Sequence, residues 1–362
     1  MNEPKSARYH RLDRRVACAA LIGTAGVLVF LLVSGTSIVI RDLLAGSAAG
    51  YALVLWLVLQ GVTLPASWYR GVYLERQFGL SRVSAVAWAR DQGKAGLLTL
   101  VAAAAGAEVL YGTIRLFPSR WWVAAAGAGV VSAALLTTVA PLLLVALFHR
   151  SRPITRESLR HRLVDLARRA GVGVLGVHEC GIGEDTARAS AALVGAGRMR
   201  RILLSEALLT EYSDDEIEVV LAHEMGHHVH RDILQGLLAR GGVLLAACLV
   251  AAAALNASWR GLGLDSTADV AGLPLILLVI GAVALAAAPA LNALSRVHER
   301  RADRFALNLA SRPDAFVGAV RRMAARNLAE ERPSRVALWL FHTHPPIEDR
   351  IRAASEPRDR NR

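Results

Sequence analysis

Residues 270–303 read VAGLPLILLVIGAVALAAAPALNALSRVHERRAD. The stretch up to Ser295 carries no charge, whereas the eight residues from Arg296 onward are dominated by charge. About 20 consecutive apolar residues are enough for a helix to cross a bilayer. The stretch therefore predicts a membrane-spanning helix that leaves the bilayer near residue 295 and continues as a charged helix in water.

Five further apolar runs are long enough to span a bilayer. They are Val16–Ile40, Leu43–Tyr69, Ala95–Ile114, Trp121–Phe148 and Gly241–Trp259. The fourth contains Pro141, which predicts a kink or a division into two short spans. The third contains Glu108, its one charged residue. We therefore expect a mainly α, multi-pass membrane protein with six spans, or seven if Pro141 divides a run.

Composition agrees with a membrane protein. Of the 362 residues, 54% are hydrophobic and 20% charged, and the mean hydropathy is +0.37. These values exclude a disordered chain and argue against an ordinary soluble enzyme. Three cysteines without framework spacing, at positions 18, 180 and 248, argue against a disulfide-stapled secreted domain.

The net charge is +12, and the Lys and Arg residues are distributed unevenly among the loops between the apolar runs. Five Lys or Arg residues precede the first run, one lies in the first loop and five lie in the second. This alternation predicts that both termini and the two long polar segments face the cytoplasm from the plasma membrane. Because topology accounts for the basic charge and no basic module is present, nucleic acid is not an expected partner.

The strongest local motif is His223-Glu224-Met225-Gly226-His227. A capping-box pattern from Ser213 to Glu216 precedes it and predicts a helix that begins near residue 214. On such a helix the two histidines lie one turn apart on one face, a spacing that suits one tetrahedral Zn²⁺. Glu224 then lies beside the metal as a general base. The alternative is an amphipathic helix with surface histidines.

A third ligand is expected from the charged helix after residue 295. Asn292, Arg296, Glu299 and Asp303 recur at spacings of four, three and four, so they share one face. We expect Glu299 to bind the metal and Asp303 to accept the free ring N–H of a metal-bound histidine. The alternative is a charged helix exit with local ion pairs.

Two more segments bear on the site. His344 precedes Pro345-Pro346, a helix-start pattern. It is a candidate to stabilise an oxyanion, and Arg350 to orient it or to bind a substrate carboxylate; a structural helix start is the alternative. Residues Thr186–Val194 and Arg201–Leu204 flank Gly195-Ala196-Gly197, which predicts a hairpin whose edge holds an extended peptide or simply backs the helix.

Taken together, these motifs resemble the gluzincin CAAX prenyl protease 1 family, with features of the HtpX-like relatives. The resemblance covers about residues 68–352. It rests on the zinc motif, on Ser295-Arg296…Glu299…Ala302-Asp303 and on His344-Pro345-Pro346…Arg350, all in the family's order, and on Glu75, Gly79, Leu80, Asp91 and Lys94 in the second loop.

The resemblance implies a small α+β zinc-metallopeptidase domain. It implies that His223, His227 and Glu299 bind one Zn²⁺, that Glu224 is catalytic, and that Asp303 and His344 support the site. Ser190-Ala191 departs from the Asn-Ala that the family's strand usually carries, and its position in that strand makes these two residues candidates for substrate binding. The implied substrates are peptides or proteins, lipidated or not, at a lipid membrane.

The implied organisation has five parts. They are a tail (1–15), an N-terminal membrane domain with four or five spans (16–148), a first catalytic part (149–236), a membrane hairpin (237–295) and a second catalytic part (296–362). Two alternatives stay open: an HtpX-like quality-control protease, and a transporter or scaffold with a degenerate metal site. Glu108 motivates the latter, because intramembrane carboxylates often mark pathways.

Overall fold

The structure is a computed structural model. It describes residues 5–81, 83–148, 151–180, 190–195, 200–326, 328–330 and 333–356. Two compact units divide the chain. The membrane unit comprises Arg8–Ala133 and Leu238–Ala288, and the site unit comprises Met1–Ala7, Ala134–Leu237 and Pro289–Arg362.

Helices dominate the described residues. In chain order they are α1 (Lys5–Val33), α2 (Thr36–Leu43), α3 (Ala48–Trp68), a π-helical turn (Tyr69–Leu74), α4 (Glu75–Phe78), α5 (Ala85–Leu116), α6 (Trp121–Phe148), α7 (Glu157–Arg169), α8 (Glu206–Glu211), α9 (Asp214–Val229), α10 (Asp232–Ser258), a 3-10 turn (Val270–Gly272), α11 (Leu273–Ala310), α12 (Pro313–Arg326), α13 (Arg335–Phe341) and α14 (Ile347–Ser355).

Five helical segments in the described residues are long and apolar enough to cross a membrane. They are Lys5–Val33, Ala48–Phe78, Ala85–Leu116, Asp232–Ser258 and Val270–Ala310. The predicted fourth run forms α6, whose apolar segment is described over Trp121–Thr137. The expected mainly α, multi-pass architecture is confirmed. The choice between six and seven spans, and the five-part division of the chain, stay predictions.

The predicted first span is shorter than its apolar run. Helix α1 ends at Val33, and Gly35 adopts a left-handed φ of 73° before α2 begins. A left-handed residue cannot continue an α-helix, and glycine adopts that conformation at little steric cost. The run that ends at Ile40 is therefore one long helix and part of a second, short one.

Polar contacts join the ends of helices in the membrane unit. The Ser37 hydroxyl donates to the Ala271 carbonyl at 2.6 Å, and the Tyr111 hydroxyl to that of Val270 at 3.2 Å. Glu108 Oε1 accepts the Ala49 N–H, in the first turn of α3, at 2.8 Å. Because the first N–H groups of a helix lack partners within it, this contact is a structural reason for a carboxylate inside an apolar run.

The site unit contains a four-stranded sheet in the order β1 (Ser151–Pro153), β2 (Gly176–Cys180), β4 (Arg201–Ser205), β3 (Ala191–Val194). Strands β3 and β4 form the predicted antiparallel pair, with Ala191 opposite Leu204. The predicted residues 186–189, 196 and 197 lie outside the described ranges. The parallel pairing of β2 with β4 was not predicted, because GVHEC lacks a regular apolar alternation.

An apolar core fixes the helix that carries the zinc motif. Leu159, Leu163 and Leu166 of α7 are fully buried, as are Ile217 and Leu221 of α9. The predicted capping box is present: the Glu216 N–H donates to Ser213 Oγ, and the Ser213 N–H donates to Glu216 Oε2 at 2.8 Å. The start of α9 and its rotation about its axis are therefore both set, and with them the direction of its histidines.

Candidate metal centre

The two motif histidines face each other along α9. Their Nε2 atoms lie 3.2 Å apart, and the ring planes are perpendicular. This follows from the four-residue spacing, because residues i and i+4 lie one above the other on a helix. Two ring nitrogens are therefore directed at a common point.

Glu299 of α11 completes this group. Its Oε2 lies 3.3 Å from His223 Nε2, and its Oε1 lies 3.5 Å from His227 Nε2. One ligand atom from each of the three residues lies within 4.8 Å of the others. Among the described residues, this is the one cluster of at least three such side chains that is arranged to hold a metal ion.

The donor set fits a zinc ion. Two imidazole nitrogens and one carboxylate oxygen are typical Zn²⁺ ligands and leave a fourth position open. Glu299 Oε2 is buried, with His344 Nδ1 at 2.9 Å and His223 Nε2 at 3.3 Å, yet neither it nor His223 Nδ1 has a hydrogen bond of acceptable geometry among the described residues. A buried carboxylate oxygen without such a bond is costly unless a cation satisfies it.

A glycine lets α9 and α11 approach this closely. A Cβ at Gly226 would lie 3.0 Å from Ala302 Cα and 3.2 Å from Phe305 Cβ. Gly226 lies between the two histidines in sequence, and Ala302 lies between Glu299 and Asp303. The close contact therefore brings the carboxylates of α11 within reach of the imidazoles.

His223 has a second carboxylate at its other nitrogen. Its Nδ1 lies 2.9 Å from Asp303 Oδ1, and Arg350 binds Asp303 through Nε at 2.8 Å and Nη2 at 2.6 Å. We call His223, Asp303 and Arg350 the His223 arm. Asp303 therefore lies where its expected role requires, and that role stays a prediction. Of the two roles expected for Arg350, the engagement of its guanidinium with Asp303 favours orientation of the site over binding a substrate carboxylate.

His227 has an equivalent partner that sequence analysis missed. Its Nδ1 lies 2.8 Å from Asp232 Oδ2, and Arg301 donates to the other oxygen of Asp232. We call His227, Asp232 and Arg301 the His227 arm. The chain returns Asp232 to the histidine through Arg231, which has a left-handed φ of 57°. No Gly or Pro marks this turn in the sequence, so no clear signal pointed to Asp232.

The buried carboxylates change the titration of the site. Burial lowers the pKa of His223, but the adjacent carboxylates of Asp303 and Glu299 outweigh burial and raise that pKa to about 9. The pKa of His227 is also raised, because its hydrogen bonds to Glu299 and Asp232 outweigh burial. Burial raises the pKa of Glu224, and the two histidines only partly oppose it. Glu224 therefore binds a proton more readily than an exposed glutamate, as a general base that must also return the proton requires.

His344 lies at the open side of the cluster. Its Nδ1 is 2.9 Å from Glu299 Oε2, and 63% of its side chain is exposed. Arg296 holds the start of its loop by donating to the His342 carbonyl at 2.6 Å. Ala191 is the first residue of β3 and Ser190 precedes it. The Ser190 N–H donates to Ser205 Oγ at 2.9 Å.

Comparison with known proteins agrees with this geometry. The model of peptidase family M48 matches residues 153–358, and the model described as "CAAX prenyl protease N-terminal, five membrane helices" matches residues 15–150. The chain belongs to peptidase family M48. Helix α9, which carries the two histidines, and helix α11, which carries Glu299, both lie within the first match.

Individual M48 relatives cover much of the chain. An uncharacterized metalloprotease, YhfN, of Bacillus subtilis is 28% identical over 90% of this chain and 79% of its own length. A probable CAAX prenyl protease 1 of Schizosaccharomyces pombe is 24% identical over 81% of this chain and 62% of its own. An HtpX protease homologue of Syntrophotalea carbinolica is 32% identical over 42% of this chain and 60% of its own.

A solved structure shares the fold. The crystal structure of Ste24p from S. mikatae superposes with a TM-score of 0.83 at 18% identity, covering 97% of this chain and 88% of the other. The solved structure supports the expected fold class, and the family matches confirm the expected family and enzyme class: this M48 member is a multi-pass membrane metalloprotease. Its substrate is a peptide or protein.

Proposed function

We propose that His223, His227 and Glu299 bind one Zn²⁺ and that this chain hydrolyses peptide bonds of membrane-associated proteins. The observation that carries the proposal is the convergence of two imidazole nitrogens and a buried carboxylate within 4.8 Å. When bound, zinc supplies Lewis-acid chemistry for amide hydrolysis. The remaining roles fall to side chains of this chain.

Glu224 acts as the general base. It follows the first ligand directly in sequence, and burial raises its pKa. A carboxylate with a raised pKa accepts a proton from the attacking water and returns it to the leaving amine more readily than an ordinary one. His344, exposed beside Glu299, donates to the oxygen of the scissile carbonyl as charge develops there.

The edge of the sheet aligns the substrate. Strand β3 lies at the end of the strand order, so the main-chain groups on its outer side are not engaged by another described strand. An extended peptide adds to such an edge through main-chain hydrogen bonds. Ser190 and Ala191 begin this edge, and the sheet is packed with α9 in one core.

The proposed substrate is a C-terminal, CAAX-like segment, with or without a prenyl group. The support is the N-terminal match over residues 15–150 and the yeast relative's name. HtpX-like quality control is the second candidate, because the HtpX homologues match at up to 32% identity over shorter segments. We further propose that the site faces the cytoplasm from the plasma membrane, as the loop charges predict.

Substitution of the base tests the mechanism. We expect purified Glu224→Gln to retain zinc, measured by metal analysis, and to lose cleavage of a reporter peptide by about 10³-fold or more. Glu206→Gln, an exposed glutamate on α8, is the matched control and should retain both. Glu299→Ala should lose zinc. Turnover in Glu224→Gln, or full zinc in Glu299→Ala, rejects the corresponding role.

A peptide panel tests the substrate class. Reporter peptides that end in a CAAX-like sequence, with and without a farnesylated cysteine, are compared with an unfolded membrane-protein fragment. Preferred cleavage three residues from the C-terminus supports terminal processing, and farnesyl dependence supports lipid recognition. If only the unfolded fragment is cleaved, and at internal positions, terminal processing is rejected and quality-control proteolysis is supported.

A further inference from the structure

Helix α13 presents apolar side chains outward. Val336, Trp339 and Leu340 are 68%, 64% and 39% exposed, whereas Ala337, which follows Val336 by 100° around the helix, is buried. Residues at i, i+3 and i+4 lie within about 100° of a helix circumference. They therefore form one apolar stripe, which in a water-soluble domain normally faces the core.

Side chains of α11 hold the end of α13. Asn292 donates to the Leu340 carbonyl at 2.8 Å and to that of Trp339 at 3.3 Å, and Arg296 donates to the Leu338 carbonyl at 2.9 Å. The last carbonyls of a helix lack partners within it. Helix α13 is thus capped by another helix, and its end lies beside residues 292–296 of α11.

That contact sets the depth of α13. The uncharged part of the last span ends at Ser295, and Arg296 is the first charge after it. Asn292 and Arg296 therefore flank the level at which α11 leaves the hydrocarbon. Tryptophan is enriched at this level because its ring is apolar and its N–H polar. Arg335 is the one charged residue of α13 and suits the lipid headgroups.

We propose that α13 is an interfacial anchor whose Val336, Trp339 and Leu340 side chains insert into the headgroup region of the bilayer. His344 follows Phe341 by three residues, a reach of about 10 Å at most. The anchor thus holds the cleavage site close to the lipid surface and favours peptides that emerge from the membrane. This last consequence rests on the proposed function; the anchor itself does not.

Spin-label accessibility tests the anchor. Single cysteines replace Val336, Trp339 and Leu340 in full-length protein in lipid nanodiscs, with Cys18→Ser and Glu224→Gln as background. Collision of the label with oxygen, which concentrates in lipid, is compared with collision with water-soluble chromium oxalate. Leu285→Cys, exposed on α11, is the lipid control, and Arg352→Cys, exposed on α14, is the water control.

We expect the oxygen-to-chromium ratio at all three positions to exceed that at residue 352 by several-fold and to approach that at residue 285. Ratios like that at 352 would overturn the anchor, because the stripe would then face water. Labels shielded from both reagents would also overturn the anchor, because a protein or peptide segment would then cover the stripe. Because label accessibility does not depend on cleavage, a failure of the proposed chemistry leaves these ratios unchanged.

A second measurement tests the effect on substrates. Trp339→Ser should lower cleavage of a lipid-tethered reporter by about tenfold, since one interfacial aromatic is lost. Cleavage of the same peptide free in solution should stay within about twofold of the unmodified protein. Equal losses on both reporters would overturn selection by depth, and no loss on either would do the same.

Discussion

The two histidine arms are chemically alike and structurally different. In each, an aspartate lies within 2.9 Å of the imidazole Nδ1 and an arginine binds that aspartate. In the His223 arm both partners come from distant elements, α11 and α14. In the His227 arm Asp232 lies five residues along the chain, beyond a left-handed turn.

The difference shows two ways of orienting a ligand. The His223 arm depends on the packing of α9 against α11, and its imidazole is 13% exposed. The His227 arm depends mainly on one turn, and its imidazole is 23% exposed. Partners at the distal ring nitrogen set the tautomer and the ring direction of metal-bound histidines. Substitutions in the more buried His223 arm should therefore lower zinc affinity and stability more than those in the His227 arm.

Loss of the first arm should have the largest effect. In Asp303→Asn, buried Arg350 and His223 lose their anion, so we expect zinc affinity to fall by about 100-fold and the free energy of unfolding by about 3 kcal/mol. Chelator competition and thermal unfolding measure the two. Asp165→Asn, a surface aspartate paired with Arg168, should change neither. An Asp303→Asn protein with normal zinc affinity would refute the arm.

Loss of the second arm should cost less. We expect Asp232→Asn to lower zinc affinity by about tenfold, at the lower end of the range for such partners, and to destabilise the protein less than Asp303→Asn. Arg301 is 29% exposed and Arg350 19%, so water can replace part of the lost contact. Equal effects of the two substitutions would show that burial does not distinguish the arms.

The helix contact under the first arm is tested by Gly226→Ala. The added methyl group meets the backbone of Ala302, so the helices must separate by a few tenths of an ångström. We expect a loss of about 1–3 kcal/mol in unfolding free energy and weaker zinc binding. Gly242→Ala, at a helical position with nothing within 4 Å, is the control and should not destabilise. Unchanged zinc affinity in Gly226→Ala would show that the close contact between α9 and α11 does not position the metal ligands.

Proton competition should make zinc binding depend on pH. The raised pKa of His223, about 9, means that the metal-free site holds a proton at neutral pH which zinc must displace. We expect zinc affinity to rise about tenfold per pH unit and to level off above about pH 9. Calorimetry in buffers of different ionisation enthalpy measures the released proton.

The metal-free protein should show the opposite trend. A histidine whose folded pKa is raised contributes stability that is complete below its ordinary value of 6.5 and is lost as the pH rises through about 9. Its thermal unfolding temperature should therefore fall over that interval. Affinity that does not change with pH, or a metal-free protein that gains stability, would contradict protonation of His223.

Substitutions at Arg231, in the turn of the His227 arm, should change stability and zinc affinity least. Arg231 adopts a left-handed conformation, which costs a non-glycine residue about 1 kcal/mol. We expect Arg231→Gly to alter the unfolding free energy by at most about 1 kcal/mol and to leave zinc affinity within about twofold. Arg231→Val, whose branched side chain is disfavoured there, should weaken zinc binding. Equal affinities for both variants would show that the turn does not position Asp232.

Local patterns predicted much of the site. The capping box set the start of α9, and four-residue spacing placed His223 and His227 together. The spacing of Asn292, Arg296, Glu299 and Asp303 placed these residues on one face of α11, although the contact of that face with α13 was not predicted. These patterns suffice because a helix repeats regularly, so that sequence separation alone decides which side chains share a face.

Other features were beyond such patterns. Strand β2 joins β4 in parallel across a long connection, and a strand of five residues without alternation carries little signal. Asp232 was missed because its position depends on a turn and not on a helical repeat. Arg350 was predicted near the site, but its partner, Asp303, follows from how α14 packs.

The amino-acid sequence by itself determined that this chain spans a membrane, where the helix with the two motif histidines begins and which helix carries the carboxylate beside them, because hydrophobicity, capping and helical period are local properties. Only the tertiary structure decided which aspartate lies beside which imidazole, and that the apolar stripe of α13 is exposed among the described residues. Those outcomes depend on distances between elements remote in sequence, such as the 3.0 Å approach at Gly226, which no local pattern encodes.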